Sequence, residues 1–290
     1  MAMVNKTMQA TPKILVIGGM NMDILGSIGS SFVPGDSLPG IIQQYPGGVG
    51  RNIAFHLANS GVQVELLCAL GNDQTASLLR QSCAASGIGL ELSIETSCPA
   101  PTYMAIHGSN GDMVCAVNDM RAMESITPDT LTNKLNKLAG FHACVLDANL
   151  SEYSLLSAAE LLLTPLIADP VSAAKCRRLL PILHRLHAIK PNRLEAETLT
   201  GEKDIPSAAK VLLDRGVRQV FISLGKEGVY YADVKYSGFL PAIDVPVVRL
   251  TGAGDAMTAG LALGIAYHLP ILESARRGLQ ASADYLSSLH

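Results

Sequence analysis

The chain has 290 residues, 48 % of them hydrophobic and 16 % charged, and a formal net charge of −3. That length can bury a large core, and a near-neutral balance without a basic block argues against a nucleic-acid partner. Residues 1–12 lack the apolar core of a signal peptide, and the apolar region 261–272, broken by Gly264, His268 and Pro270, is too short for a membrane span; the six cysteines are scattered without zinc spacing and read as free thiols in a reducing cytoplasm.

Lys13 to Ile17 is an apolar run ending in Gly18-Gly19, the signature of a buried parallel strand. Asn21 and Asp23 then alternate onto one side of an extended segment. At the C-terminal end of a strand such a pair suits sugar hydroxyls, and it also suits a turn. Pro34 to Gly40 is a turn cluster. Gly47-Gly48-Val49-Gly50-Arg51-Asn52 leads into a helix closed by Gly61. Its glycines let a ligand touch the backbone, but they match neither a dinucleotide fingerprint nor a Walker loop.

Val64 to Leu70 reads as another strand and 73–85 as a helix. Thr102 to His107 and Met113 to Val117 alternate around Ser109-Asn110-Gly111, a hairpin signal that interrupts the βα rhythm. Strands follow at 144–147, 166–169, 188–190 and 219–223, with helices at about 128–138, 151–162, 173–186 and 207–215. Asp147, Asp169 and Asn192 fall at or just after strand ends. Leu224 to Gly228 turns into Val229-Tyr230-Tyr231, and 273–289 reads as a final helix.

The stretch Thr251-Gly252-Ala253-Gly254-Asp255 organises the rest. It follows an apolar run, Val245 to Val248, that reads as extended, and it opens a small-residue helix. The first amides of that helix lack internal partners and sit at the positive end of its dipole, a main-chain anion site. Asp255 in the first turn can cap the helix, or it can take a proton from a hydroxyl beside a transferring phosphoryl group. Asn192 and Glu195, three apart, share a helix face and fit a capping box or a pair holding metal-bound waters.

Four segments in this order resemble the ribokinase-like (PfkB) carbohydrate kinases: Gly18 to Asp23, Gly47 to Ala54, Lys190 to Glu195 with its Asn-x-x-Glu, and Thr251 to Ala256. Within that family, Asp36 to Gly40, Gly48 to Asn52, Val117 to Met120, Asp169 to Cys176 and Lys190 to Thr198 resemble the branch that phosphorylates pseudouridine. The resemblance implies one kinase domain over 1–290, a three-layer α/β/α sandwich with a mostly parallel central sheet. It also implies a small β lid from about 24–45 and 102–120, closing over the substrate and pairing two subunits.

The resemblance further implies ATP and Mg²⁺, a small-molecule nucleoside or sugar as acceptor, Asp255 as general base, and Gly252, Ala253 and Gly254 as the anion hole. Asn21, Asp23, Gly47, Gly48 and Asn52 would hold the ribose. Asp36, Tyr103 and Asn118 would lie near the base. Lys175, Ser223, Gly225, Gly228 and Thr251 would serve the nucleotide, with Asn192 and Glu195 reaching Mg²⁺ through water. Two departures stand out. Arg249 replaces an Asp or Asn that helps bind a monovalent cation, and its guanidinium repels potassium. The sequence stops at His290 where relatives continue, so the resemblance leaves open weaker ATP binding or a shortened, non-catalytic relative that only binds a nucleoside or sugar.

Overall fold

The structure is a computed structural model that describes residues 11–136, 140–248 and 251–288. The first strand, β1 (Lys13–Ile17), is buried along nearly its whole length, as its unbroken apolar run requires. It leads into β2 (Asn21–Ile28) and, after an exposed turn, β3 (Gly40–Gly47) and α1 (Val49–Asn59). Next come β4 (Gln63–Leu67), β5 (Ala69–Leu70), α2 (Gln74–Ala85), β6 (Ile88–Gly89) and β7 (Ile94–Glu95). Asp73 caps α2 by accepting the Ala76 N–H.

The hairpin β8 (Thr102–His107) and β9 (Met113–Asp119) follows as expected, turning at Gly111 with φ 83°. After it run α3 (Pro128–Leu135), β10 (Ala143–Asp147), α4 (Glu152–Leu161), β11 (Leu166–Asp169), β12 (Ala188–Ile189), α5 (Arg193–Thr200) and α6 (Ile205–Asp214). The chain closes with β13 (Gln219–Ser223), β14 (Val229–Ala232), β15 (Ser237–Leu240), α7 (Ala253–Ala266) and α8 (Ile271–Ser287).

The central sheet has nine strands in the order β15-β14-β13-β12-β11-β10-β1-β4-β6. Every pairing from β13 to β6 is parallel, and only the β13-β14-β15 edge is antiparallel. Two apolar clusters flank it. Leu15 and Ile17 point into one, Ile14 and Val16 into the other, the two-sided burial that an apolar parallel strand demands. Each large aliphatic side chain sealed there contributes about 1.5–3 kcal/mol before the entropy of ordering. α7 carries no polar face: Ala256 to Ala266 are all buried, and Gly260, Gly264 and Gly278 let α8 approach closely.

A second sheet, β3-β2-β8-β9, stands apart from the first. Its strands span somewhat more than the segments read from the sequence, since β2 starts at Asn21 and β3 runs to Gly47. Two other expectations fail. Residues 176–185 form a run of 3₁₀ turns around Pro181, whose missing N–H cannot sustain an α-helical ladder. Val245 to Val248 form no strand, and the Val248 N–H donates instead to the Leu286 carbonyl oxygen of α8 at 2.8 Å. Arg249 lies outside the described residues.

The sheet reverses its winding at β1, where the chain has built β4 on one side and β10 on the other. Crevices outside the carboxyl ends of strands at such a point are where open α/β sheets place ligands.

Candidate active site

Gly18 and Gly19 close β1 at that switch point. A Cβ on Gly18 would strike the Asp147 carboxylate, which caps the crevice by accepting the Gly19 N–H at 2.8 Å and the Asn149 N–H at 2.9 Å. Gly48, with φ 96°, lets α1 start against the Gly19 carbonyl.

One rung of the small sheet places Tyr45, Asp23, Tyr103 and Asn118 side by side across its four strands. Asn21 sits two residues from Asp23 on the same face and donates to Asp23 Oδ1 at 2.6 Å. Burial raises the Asp23 pKa, opposed by that hydrogen bond. Gly47 lies beside the Asp23 carboxylate, where any side chain would collide with it. Asn21 and Asn118 line a cavity of about 590 Å³ together with Gly19, Asn149, Lys175 and Arg178.

Lys175 donates to Asn149 Oδ1 at 2.6 Å. The structure therefore puts it in the cavity with Asn118, away from the glycine turn it was grouped with. Asp36 is exposed, accepts the Ser37 N–H and lines neither cavity.

A second cavity, also about 590 Å³, is walled by Ser223, Gly225 and Gly228 on one side and by Ala253 and Gly254 on the other. Val245, Val247 and Leu286 add apolar surface. The sequence reading missed these three, because the run 245–248 reads as a strand and nothing local ties Leu286 to it. Asn192 and Glu195 form a reciprocal capping box at the start of α5, each bond 2.9 Å long.

The N-terminus of α7 forms one wall of the second cavity. Gly252 is its N-cap, with φ 102° and no side-chain cap, so the following amides are left for a ligand. Asp255 occupies the third helical position, half-buried, and accepts from Asn52 Nδ2 at 2.9 Å. Burial, then the nearby Asp169 charge, raises its pKa to about 7; Asn52 and Lys190 act against that rise, and Asp147 adds to it.

Below the loop lies a buried polar group that the sequence did not announce. Lys190 Nζ stands 3.5 Å from Asp169 Oδ2, and the Thr258 hydroxyl donates to the same oxygen at 2.6 Å. Burial alone would lower the Lys190 pKa, but Asp169, Glu195 and Asp255 outweigh it and raise it. Burial raises Glu195 as well, against the Asn192 N–H and Lys190. Val171, two residues past Asp169, holds φ 66°, a strained value for a β-branched residue; its N–H donates to Asp169 Oδ1 at 2.9 Å. Among the described residues no cluster of three or more His, Cys, Asp or Glu could hold a metal directly.

A cleft walled by an uncapped helix N-terminus, with a carboxylate of raised pKa in that helix's first turn, has the donors to hold an anionic group and a base beside them. Residues 11–287 match the model of the pfkB family carbohydrate kinases, and the chain belongs to that family. It is 36 % identical to the pseudouridine kinase of Escherichia coli (strain K12) over 285 residues, covering 94 % of this chain and 90 % of that one. A pseudouridine kinase of Arabidopsis thaliana is 23 % identical, over 94 % and 90 %.

Among solved structures, a carbohydrate kinase from Agrobacterium tumefaciens superposes with a TM-score of 0.85 at 29 % identity, covering 96 % and 92 %. A ribokinase from Thermotoga maritima reaches 0.86 at 24 %, covering 96 % and 93 %, which shows the shared fold. The protein is thus a kinase with a ribokinase-like α/β fold, acting on a carbohydrate or nucleoside. Among the described residues no helix is long and apolar enough to cross a membrane.

Proposed function

We propose that the protein transfers the γ-phosphoryl group of ATP to the 5′-hydroxyl of pseudouridine. The likeness to a kinase of that name over nearly the whole of both chains supports this acceptor. One observation carries the chemistry: Asp255 lies in the first turn of an uncapped helix with its pKa raised to about 7. A base titrating there is ionised for a large part of the time at neutral pH, yet is basic enough to accept a proton.

Asp255 takes the proton of the attacking hydroxyl, and the amides of Gly252 to Asp255 hold the charge that develops on the phosphoryl oxygens. Asn21 and Asp23 hold the ribose, with Gly47 and Gly48 keeping its bed clear and Asn52 holding the base in place. Tyr103 and Asn118 flank the nucleobase, and Lys175 reaches into the same cavity. Ser223, Gly225, Gly228 and Thr251 border the nucleotide.

Glu195 spends Oε2 on the Asn192 N–H, and its other oxygen suits a water of a hydrated magnesium ion, which takes only one or two protein ligands beside the phosphates. Magnesium would neutralise phosphate charge. The chain as a whole acts as one domain, with the β3-β2-β8-β9 sheet as a lid that excludes water from the cleft. Consumption of ATP by a chain with six free cysteines fits the cytoplasm.

The test is ADP release with ATP and Mg²⁺ over a panel of pseudouridine, uridine, cytidine, ribose and fructose. Pseudouridine should give the highest kcat/KM, and Asp255→Asn should lower kcat at least about a hundredfold while the ligands still bind. A better turnover of ribose or uridine would overturn the acceptor. Full activity of Asp255→Asn would overturn the mechanism.

A further inference from the structure

The loop that opens α7 is gripped at both ends by side chains from other helices. Asn52 of α1 holds the Asp255 end. The other end is held by Tyr285, near the end of α8, whose hydroxyl donates to the Thr251 carbonyl oxygen at 2.7 Å. The phenol lies directly over Gly252, where a Cβ would stand 2.7 Å from Tyr285 Oη and 3.0 Å from Cζ. The ring is itself seated. His56 meets it edge to face, with centroids 5.0 Å apart and planes at 87°. Asn52 and His56 are four residues apart on α1, so one face of that helix serves both grips. Burial, then the Arg51 charge, lowers the His56 pKa to about 4, so the contact keeps one charge state at neutral pH.

A peptide unit is planar. The Thr251 carbonyl and the Gly252 N–H belong to the same unit and point in opposite directions. A hydroxyl that fixes the carbonyl therefore also aims the first amide of the anion site. Donors set in place before the reaction stabilise developing charge best, because nothing need reorient when the charge appears. Thr251 itself is exposed, so solvent alone would leave this unit free to swing.

We propose that Tyr285 is a positioning residue for phosphoryl transfer: its hydroxyl locks the Thr251–Gly252 peptide and so orients the amides that receive the phosphoryl group. The role belongs to the transfer step and holds whichever alcohol is the acceptor.

Tyr285→Phe removes the donor and leaves the ring against His56 and Gly252. Steady-state kinetics with ATP, using the best acceptor of the panel, should show kcat reduced about five- to tenfold, the scale of one lost hydrogen bond. The KM of the acceptor and the thermal midpoint should not change. A fall in kcat without a fall in stability is what mere packing would not produce. A parental kcat, or a loss of rate that tracks a loss of thermal midpoint, would overturn the role. Because the ratio of variant to parent is read with whichever acceptor works, failure of the pseudouridine assignment leaves this test standing.

Discussion

The side-chain amide of Asn52 donates to Asp255 Oδ2 over 2.9 Å, joining residues 203 apart in the chain. As the proposed base Asp255 must be ionised to act, and its pKa is raised to about 7. The rate should therefore climb as pH rises, along a limb centred near 7. Asn52 stabilises the ionised form, so Asn52→Ala should move that limb upward by about one pH unit, the equivalent of one charge-assisted hydrogen bond. A kcat profile from pH 5.5 to 9 reads the shift. An unmoved limb, or one displaced downward, would remove Asn52 from this role.

The same raised pKa has a consequence for stability. The folded chain binds this proton more tightly than the unfolded chain does. The stabilising contribution is full below the ordinary carboxylate value of 3.8 and is lost as pH rises through about 7. At pH 8 the parent thus carries an ionised, desolvated carboxylate that Asp255→Asn does not. The variant should melt at a higher temperature than the parent at pH 8, and the difference should shrink towards pH 5. Equal melting curves at pH 8 would show that the carboxylate is well solvated.

Lys190 and Asp169 are both nearly sealed from solvent, 6 % exposed each by side chain. Removing one partner of such a pair leaves the other buried and uncompensated, which costs about 3–5 kcal/mol. Lys190→Met should lower the unfolding free energy by that order in urea titration. It also removes a charge that favours ionised Asp255, so the acid limb of the remaining activity should rise in pH. A stability loss below about 1 kcal/mol would mean that water or relaxation already screens the pair.

Much of this site was legible because its signals are local. Glycines preceding Asp255 announce an uncapped helix start, and Asn192 with Glu195 announces a capping box, whatever surrounds them. Strands such as β1 and β10 show in their apolar runs. The charges beneath the loop did not show, because Asp147, Asp169 and Lys190 look like ordinary strand-end residues. Only the parallel alignment of β10, β11 and β12 brings them together. Tyr285 was equally silent, since it reaches Thr251 by the docking of α8 on α7. The run Val245 to Val248 was misleading in the opposite sense: its β-branched residues favour extension, but a strand also needs an edge.

The small sheet leaves Ile42, Met104 and Val117 exposed on the face opposite Asp23, at 73 %, 44 % and 70 %. An apolar strand surface of this kind is a place where two copies can pair. Sedimentation at micromolar concentration should give a dimer, and Ile42→Asp with Val117→Lys should give a monomer with its fold intact. A parent chain that sediments as a monomer would end this reading of the lid.

Gly47 offers a test of the ribose site that leaves the phosphoryl machinery untouched. It sits at the end of β3 against the Asp23 carboxylate, which is held on its other side by Asn21. A methyl group there cannot fit unless Asp23 moves, and Asp23 is the residue assigned to the ribose hydroxyls. Gly47→Ala should therefore raise the KM of the nucleoside at least about tenfold, the loss of one or two hydrogen bonds to the sugar. The KM of ATP should stay as it is, because the turn around Gly225 and Gly228, proposed for the nucleotide, lies in the other cavity. If both KM values rose together, the substitution would be acting through the fold. If neither rose, Asp23 would not be holding the sugar.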